Sequence, residues 1–251
     1  MSVSQTTTFK LDHIAAQLEG LEETIIYRLI DRGQFALNES VYRAGAHHGF
    51  PGFEDHSLLD IRFRMQEEMD ARFGRFLVPE ERPFSDDLPP PLRKPPRADQ
   101  LFPISDYAAV SQNQAILSHY RLLLGSVCAG DDDGHHGSSV ECDVAALQAI
   151  ARRIHYGSLY VAESKFLAEP ELYAKHIRSK DQEELMRLLT RAEVEARILE
   201  RVGEKLDRMQ ETVNTMVRRR LAPDHVMQLY RDCIIPLTKQ GEVAYLFSRH
   251  L

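Results

Sequence analysis

The chain has 251 residues, a formal net charge of −7 and 43% hydrophobic residues, enough apolar material for one large folded domain or two small ones. The acidic balance argues against nucleic acid as the main partner, and no uninterrupted apolar run approaches a membrane span. The opening MSVSQTTTFKLD has no apolar stretch of the kind a secretory leader needs, and Cys128, Cys142 and Cys233 are odd in number and widely spaced, which predicts reduced thiols in a cytoplasmic protein.

Taken in order, the first predicted element is a helix from about Phe9 to Phe35, with Leu11, Ile14, Leu18, Leu21, Ile25, Tyr27, Leu29 and Ile30 on one stripe. Gly45, Gly49, Pro51 and Gly52 mark Glu39 to His56 as a loop. Its adjacent His47 and His48 lack the cysteine or acidic company of a metal site. Ser57 is placed to cap a second helix, whose periodic residues continue to about Phe76. Pro89, Pro90, Pro91, Pro95 and Pro96 then make residues 83–103 an extended connection, because proline lacks the amide donor and fixes φ. Helix resumes over Asp106 to Leu124. The run DDDGHHGSS that follows holds three acids and two histidines, but its glycines and serines favour a flexible, solvated turn over a metal site.

Ser138, with Glu141 three residues on, reads as a capping box that opens a helix through Val144, Leu147, Ile150 and Ile154 to about Leu167. Pro170 fits the first turn of a short helix through His176, and Asp181 to Leu189 is another. Ala192 to Met216 is a long helix, with Arg218 to Arg220 as its solvated basic end. Pro223 opens the last helix, which reaches Leu246 and contains Pro236, a residue that should kink it. No strand alternation and no repeat is visible. The expected fold is all-α: a single multi-helix bundle over residues 1–251, with the Pro-rich crossover inside it.

Within the central helix stands Arg152 to Phe166, RRIHYGSLYVAESKF. By periodicity alone it is an amphipathic helix with solvated basic residues. Its wording resembles the core motif of the helical chorismate mutases of fungi and plants, RRIH-[FY]-GKFVAE-x-KF. ETIIYRLIDRGQFALN is similar to that family's first helix, and LLTRAEVEARILERV and IIPLTKQGEVAYLFSR to later ones. The resemblance runs from Leu11 to Leu251, crossover included. It implies the pericyclic conversion of chorismate to prephenate, on the route to phenylalanine and tyrosine, by a cytoplasmic homodimer that needs no cofactor and no metal.

By the same resemblance, the family's substrate-holding arginine and its lysine correspond to Arg153 and Lys165, and the glutamate aimed at the ether oxygen to Glu242. Glu195 and Thr238 match further substrate contacts. Such a reaction needs a compact conformer of a dianion and donors aimed at the charge that builds on the ether oxygen. Glu242 can donate there only if protonated, which burial beside a dianion favours. Regulated members bind tryptophan or tyrosine at an effector site whose pieces match Arg75, Gly137 and Ser138. Here Gly74 replaces one arginine of a pair, and Ala222 replaces a threonine.

Two departures bear on the site. Arg153 and Lys165 are twelve steps apart where the family has eleven. At about 100° per residue, eleven steps return a side chain to within ~20° of the same face and twelve leave it ~120° away. A one-residue bulge between Gly157 and Tyr160 would restore the face. The second departure is Ala15, which stands where the family's first helix has a substrate-binding arginine. Arg191, four residues before Glu195, is the candidate replacement, since that spacing on a helix would set the two side by side. Two other readings stay open: a catalytically weak relative that binds a dicarboxylate or serves as a scaffold, and a helical structural domain without a ligand.

Overall fold

The computed structural model describes residues 9–47, 49–92 and 101–251, and among these every regular element is helical. The α-helices are α1 (Leu11–Arg32), α2 (Leu58–Arg72), α3 (Asn113–Val127), α4 (His136–Tyr156), α5 (Ala162–Ala168), α6 (Pro170–Arg178), α7 (Gln182–Leu189), α8 (Ala192–Gln210), α9 (Pro223–Leu229) and α10 (Ile235–Ser248). Two π-helical turns, Gly157–Val161 and Tyr230–Ile234, carry α4 into α5 and α9 into α10.

Several boundaries have identifiable causes. Ser57 caps α2 as expected: its Oγ accepts from Asp60 N, and Asp60 Oδ2 accepts from Ser57 N, both at 3.1 Å. The helix stops at Arg72, short of Phe76, and Gly74 follows in the left-handed region at φ 84°. Asp181 caps α7 by accepting from Glu184 N. α3 begins at Asn113 rather than Asp106. The Asp106 carboxylate binds Ala108 N at 2.7 Å, a local bond that competes with helix, and a 3-10 turn at Ala108–Val110 takes that place.

Three further expectations are corrected. α4 starts at His136, so Ser138 lies inside its first turn and makes no capping box with Glu141. The acidic turn before it is pinned, not loose. Asp133 accepts from Ala36 N at 2.7 Å, Asn38 Nδ2 at 2.9 Å and His135 N at 2.9 Å, bonds that hold its carboxyl well below the usual range. α8 ends at Gln210, because the Gln210 side chain turns to bond both Leu221 N and Leu221 O and staples the following connection onto the helix end. Arg218, Arg219 and Arg220 belong to that connection. Arg219 donates to Val127 O at 2.8 Å, and Arg218 faces Asp31 at 3.7 Å. Of the Pro-rich segment, residues 93–100 lie outside the described residues, as does His48.

The apolar side chains form two clusters. The larger gathers residues of α1 to α4, α8 and α9, among them Ile25, Leu29, Tyr120, Leu147, Ile150, Ile154, Val202 and Leu206. The smaller gathers Tyr156, Leu159, Tyr160, Phe166, Tyr173, Leu185, Val243 and Leu246 with Ile14 and Phe102. The α4–α5 rod leaves the first cluster after Ile154 and enters the second at Tyr156, just before its π turn, and α10 makes the same passage between Leu237 and Val243. Inside the larger cluster a fully buried pair, Arg32 and Asp143 at 2.6 Å, is completed by Tyr42 and Tyr120 donating to the carboxylate and by Ala36 O and Leu37 O accepting from the guanidinium. A buried ion pair needs such additional hydrogen bonds to offset its desolvation. This one ties α1, α3, α4 and the chain after α1 together.

Candidate active site

Lys165 and Glu242 meet where α4–α5 crosses α10, and Thr238 is buried on the same stretch of α10. The π turn at Gly157–Val161 covers the stretch where a bulge was expected, and it takes up the extra residue between Arg153 and Lys165. Beyond it, Lys165 Nζ lies 3.3 Å from Glu242 Oε2 and donates to Leu189 O at 2.9 Å. Glu242 is only 4% exposed. Burial pushes its carboxyl up to about 7, with Glu195 adding to the rise while Lys165 and Lys239 oppose it. Lys239 in turn pairs with Glu195 at 2.9 Å.

Arg153, one turn before the π segment, is 3% exposed. Its guanidinium lies over the Tyr230 ring, 5.4 Å from the centroid, and its Nε–H has no hydrogen-bond partner among the described residues. Among the described residues its closest carboxylate, Glu22, stands 3.9 Å away. That wholly buried carboxylate is already gripped by Arg201, at 2.7 and 2.9 Å, and by Lys205 at 3.3 Å. A buried guanidinium with a spare donor, beside a carboxylate shared among three cations, is prepared to accept an anion. Thr238 is buried on α10, one turn before Glu242. Its Oγ1 donates to Ile234 O at 2.6 Å, and its methyl group faces Gly157.

Arg191 is placed differently from its expectation. It precedes α8 with extended φ −132° and ψ 89°, so it does not share a helical face with Glu195; its backbone carbonyl instead accepts from Glu195 N. Its side chain is exposed and makes no ion pair among the described residues, while Ala15 is exposed on α1. Burial raises the Tyr173 hydroxyl, with Glu242 adding to the rise and Arg191 opposing it. The three effector-type residues do not meet within one chain. Arg75 bonds Asp70, Glu81 and Gln148. Gln148 lies ten residues along α4 from Ser138, about 15 Å at the helical rise.

Lys239, Glu22, Arg201, Lys205 and Tyr230 were not singled out in the sequence. Glu22 had a signal: it falls on the buried stripe Leu18, Ile25, Leu29, where a carboxylate requires cationic partners. The others had none, being charged or aromatic residues on ordinary helices. Two clefts lie outside the constellation. One of about 740 Å³ is lined by Phe9, Lys10, Glu163 and Ser164, and one of about 390 Å³ by Arg28, Arg62, Arg75 and Arg152. The site itself is closed over Arg153 and Glu242 and opens to solvent at Lys239, Glu195 and Arg191.

No family model matches the chain. It is, however, 37% identical over 248 residues to the chorismate mutase of Schizosaccharomyces pombe, covering 96% of this chain and 97% of that protein. This chain belongs to the chorismate mutase family. The Aro7p chorismate mutase from Candida albicans, solved in complex with L-Trp, superimposes with a TM-score of 0.88 at 32% identity, covering 97% of this chain and 93% of that one. The chorismate mutase AtCM1, with tyrosine bound in its allosteric site, gives a TM-score of 0.82 at 34% identity, covering 98% of each chain. The chain is thus of the helical fungal and plant type, and its activity is that of a chorismate mutase. An isomerase of this kind asks its site for cations, for donors and for exclusion of water. Those are the properties of Arg153, Lys165 and buried Glu242.

Proposed function

We propose that chorismate binds at the crossing of α4–α5 and α10, and that Arg153, Lys165 and Glu242 carry its conversion to prephenate. The supporting observation is the pair formed by Lys165 and a buried Glu242, whose carboxyl burial pushes up to about 7. In the rearrangement the ether C–O bond breaks as a new C–C bond forms in one cyclic electron shift, and no proton leaves the substrate. Negative charge grows on the ether oxygen, and two donors are available for it. Lys165 Nζ reaches that oxygen and a carboxylate, and protonated Glu242 donates to the same oxygen. Arg153 takes a carboxylate with its spare Nε–H. Glu195 accepts from the ring hydroxyl, and Thr238 walls the site beside Gly157. A dianion arriving next to Glu242 raises its pKa further, so binding reinforces the protonated form.

Arg191 is the second carboxylate ligand in this reading, in place of a cation at Ala15. Its exposure and its freedom from ion pairs among the described residues support that role. The reading also makes the chain one cytoplasmic domain that pairs as a homodimer. Exposed apolar side chains at Met65, Met69 and Leu122 support a second protomer. Across such a dimer, Arg75 of one protomer would meet Gly137 and Ser138 of the other and hold an effector such as tryptophan or tyrosine. Among the described residues no helix is long and apolar enough to cross a membrane.

The deciding experiment follows chorismate absorbance with the purified chain. Wild type consumes chorismate and yields prephenate, while Lys165→Ala and Glu242→Ala each lose on the order of 100- to 1000-fold in rate with helical content intact. Near-normal turnover by either variant overturns the assignment.

A further inference from the structure

The π turn does more than restore the face of Lys165. It is locked against α10 at one point, and both partners of the lock are unusual choices. Ser158, the second residue of the turn, is wholly buried. Its Oγ lies 2.8 Å from Ile154 O and 3.2 Å from Thr238 O, with its one proton available to both carbonyls. Thr238 O is also the carbonyl that α-helical geometry assigns to the amide of Glu242, four residues on. The serine therefore touches the turn of backbone from which Glu242 projects.

Opposite Ser158 stands Gly241. A β carbon at Gly241 would lie 2.1 Å from Ser158 Oγ and 2.8 Å from Ser158 Cβ. Even with the hydroxyl swung aside, the two β carbons at 2.8 Å fall well inside the 3.4 Å at which ordinary contact begins. The approach is matched one turn away, where a β carbon at Gly157 would lie 2.7 Å from Thr238 Cγ2. Glycine within a helix is a costly choice, and close backbone approach is the usual reason for it. Here each helix offers a glycine to the other, at positions next to site residues: Gly157 near Arg153, and Gly241 beside Glu242.

We infer that Ser158 and Gly241 are positioning residues for the reaction: together they clamp the π turn to α10 and so fix Lys165 against Glu242. Neither touches the substrate. The clamp explains how a chain with twelve steps between its two cations keeps them working together. The turn that absorbs the extra residue is wider, and it fits only against a backbone without a side chain. The inference rests on the assignment of Lys165 and Glu242 as catalytic residues.

The experiment uses the full chain, chorismate and five variants: Gly241→Ala, Ser158→Gly, the double Ser158→Gly/Gly241→Ala, Lys165→Ala and Glu242→Ala. A misplacement of about 1 Å costs on the order of 100-fold in rate, so Gly241→Ala lowers kcat by roughly 10- to 100-fold, with a smaller change in KM. It also moves the pH at which activity falls, because Glu242 no longer faces Lys165 at the same distance. The double variant removes the colliding atoms and recovers about fivefold or more over Gly241→Ala, a non-additivity expected only of residues in contact. Ser158→Gly, which introduces no collision and tests the clamp even if Gly241→Ala does not fold, lowers kcat several-fold and broadens the pH profile. Wild-type kcat and pH profile in Gly241→Ala or in Ser158→Gly overturns the inference, as does a double variant no better than Gly241→Ala. If Lys165→Ala and Glu242→Ala remain active, the catalytic assignment falls instead. If they are inactive while Gly241→Ala behaves as wild type, only the clamp falls.

Discussion

Replacing Glu242 by glutamine keeps a hydrogen-bond donor in place and removes the one proton that rising pH can strip from it. In the folded chain burial lifts this carboxyl from 4.5 to about 7. At ~1.4 kcal/mol per tenfold, that lift corresponds to about 3 kcal/mol against ionisation in place. Half of the free protein then carries the proton at neutral pH, and roughly one molecule in a hundred does two units higher. If the protonated form is the active one, wild-type kcat/KM falls about 50-fold between pH 7 and pH 9, while kcat breaks at higher pH because the bound dianion holds the proton on. Glu242→Gln should give a flat profile over the same interval. Stability supplies an independent reading. Unfolded Glu242 loses its proton near 4.5 and folded Glu242 near 7, so folding takes up a proton between those values and wild-type stability declines as pH rises through that window. Glutamine removes this decline, which urea titrations at both ends of the window measure. A wild-type rate that is level from pH 6 to 9, or a break unchanged in Glu242→Gln, refutes the role given to the protonated glutamate.

Arg191→Ala should raise KM for chorismate at least tenfold, in line with loss of a charge-assisted contact, and Ala15→Arg in the same chain should recover part of it. An unchanged KM means that the Arg191 side chain contacts only solvent. Asp143→Ala should lower unfolding free energy by about 3–5 kcal/mol, since it leaves the Arg32 guanidinium buried without its counter-charge. A loss below ~1 kcal/mol in thermal or denaturant unfolding would show that water reaches Arg32. Tryptophan or tyrosine added to the assay should change the rate in wild type and not in Arg75→Ala, and the effect should vanish under conditions where light scattering finds monomer.

The helices were legible because their stripes are regular, and the π turn was legible because one spacing was wrong for a plain helix. What escaped the sequence was mostly long-range. Ser138 and Glu141 have the letters of a capping box, yet α4 begins earlier because the turn before it is pinned by Asp133 to Ala36 and Asn38, about a hundred residues away in sequence. Periodicity alone carried α8 past Gln210, but the Gln210–Leu221 bonds that end it involve a side chain reaching across a connection. Spacing alone puts Arg191 on the helix with Glu195, although the residue before a helix carries a different backbone. In the site, Lys165 and Glu242 were found by wording, whereas Glu22 and Tyr230 matter only because folding brings them to Arg153.

The two helices that carry the site both depart from regular α geometry, for different reasons. Before α10 the cause is local. Pro236 has no amide proton, and its ring would press on the Asp232 carbonyl four residues back, so the chain widens into a π turn over Tyr230–Ile234. Before α5 it is the extra residue between Arg153 and Lys165, which the π turn absorbs. Ile154 packs in the larger cluster and Tyr156 already in the smaller, and the π turn follows directly. α10 makes its own transition between Leu237 and Val243, and Thr238, Gly241 and Glu242 fall within that interval. The polar groups of the site therefore stand on a seam. They are dehydrated by apolar clusters on both sides. A carboxyl at such a seam is kept near neutrality by burial and kept from full neutralisation by one lysine at 3.3 Å. In the middle of either core an unpaired Glu242 would cost several kcal/mol, and on the surface it would be ionised at pH 7.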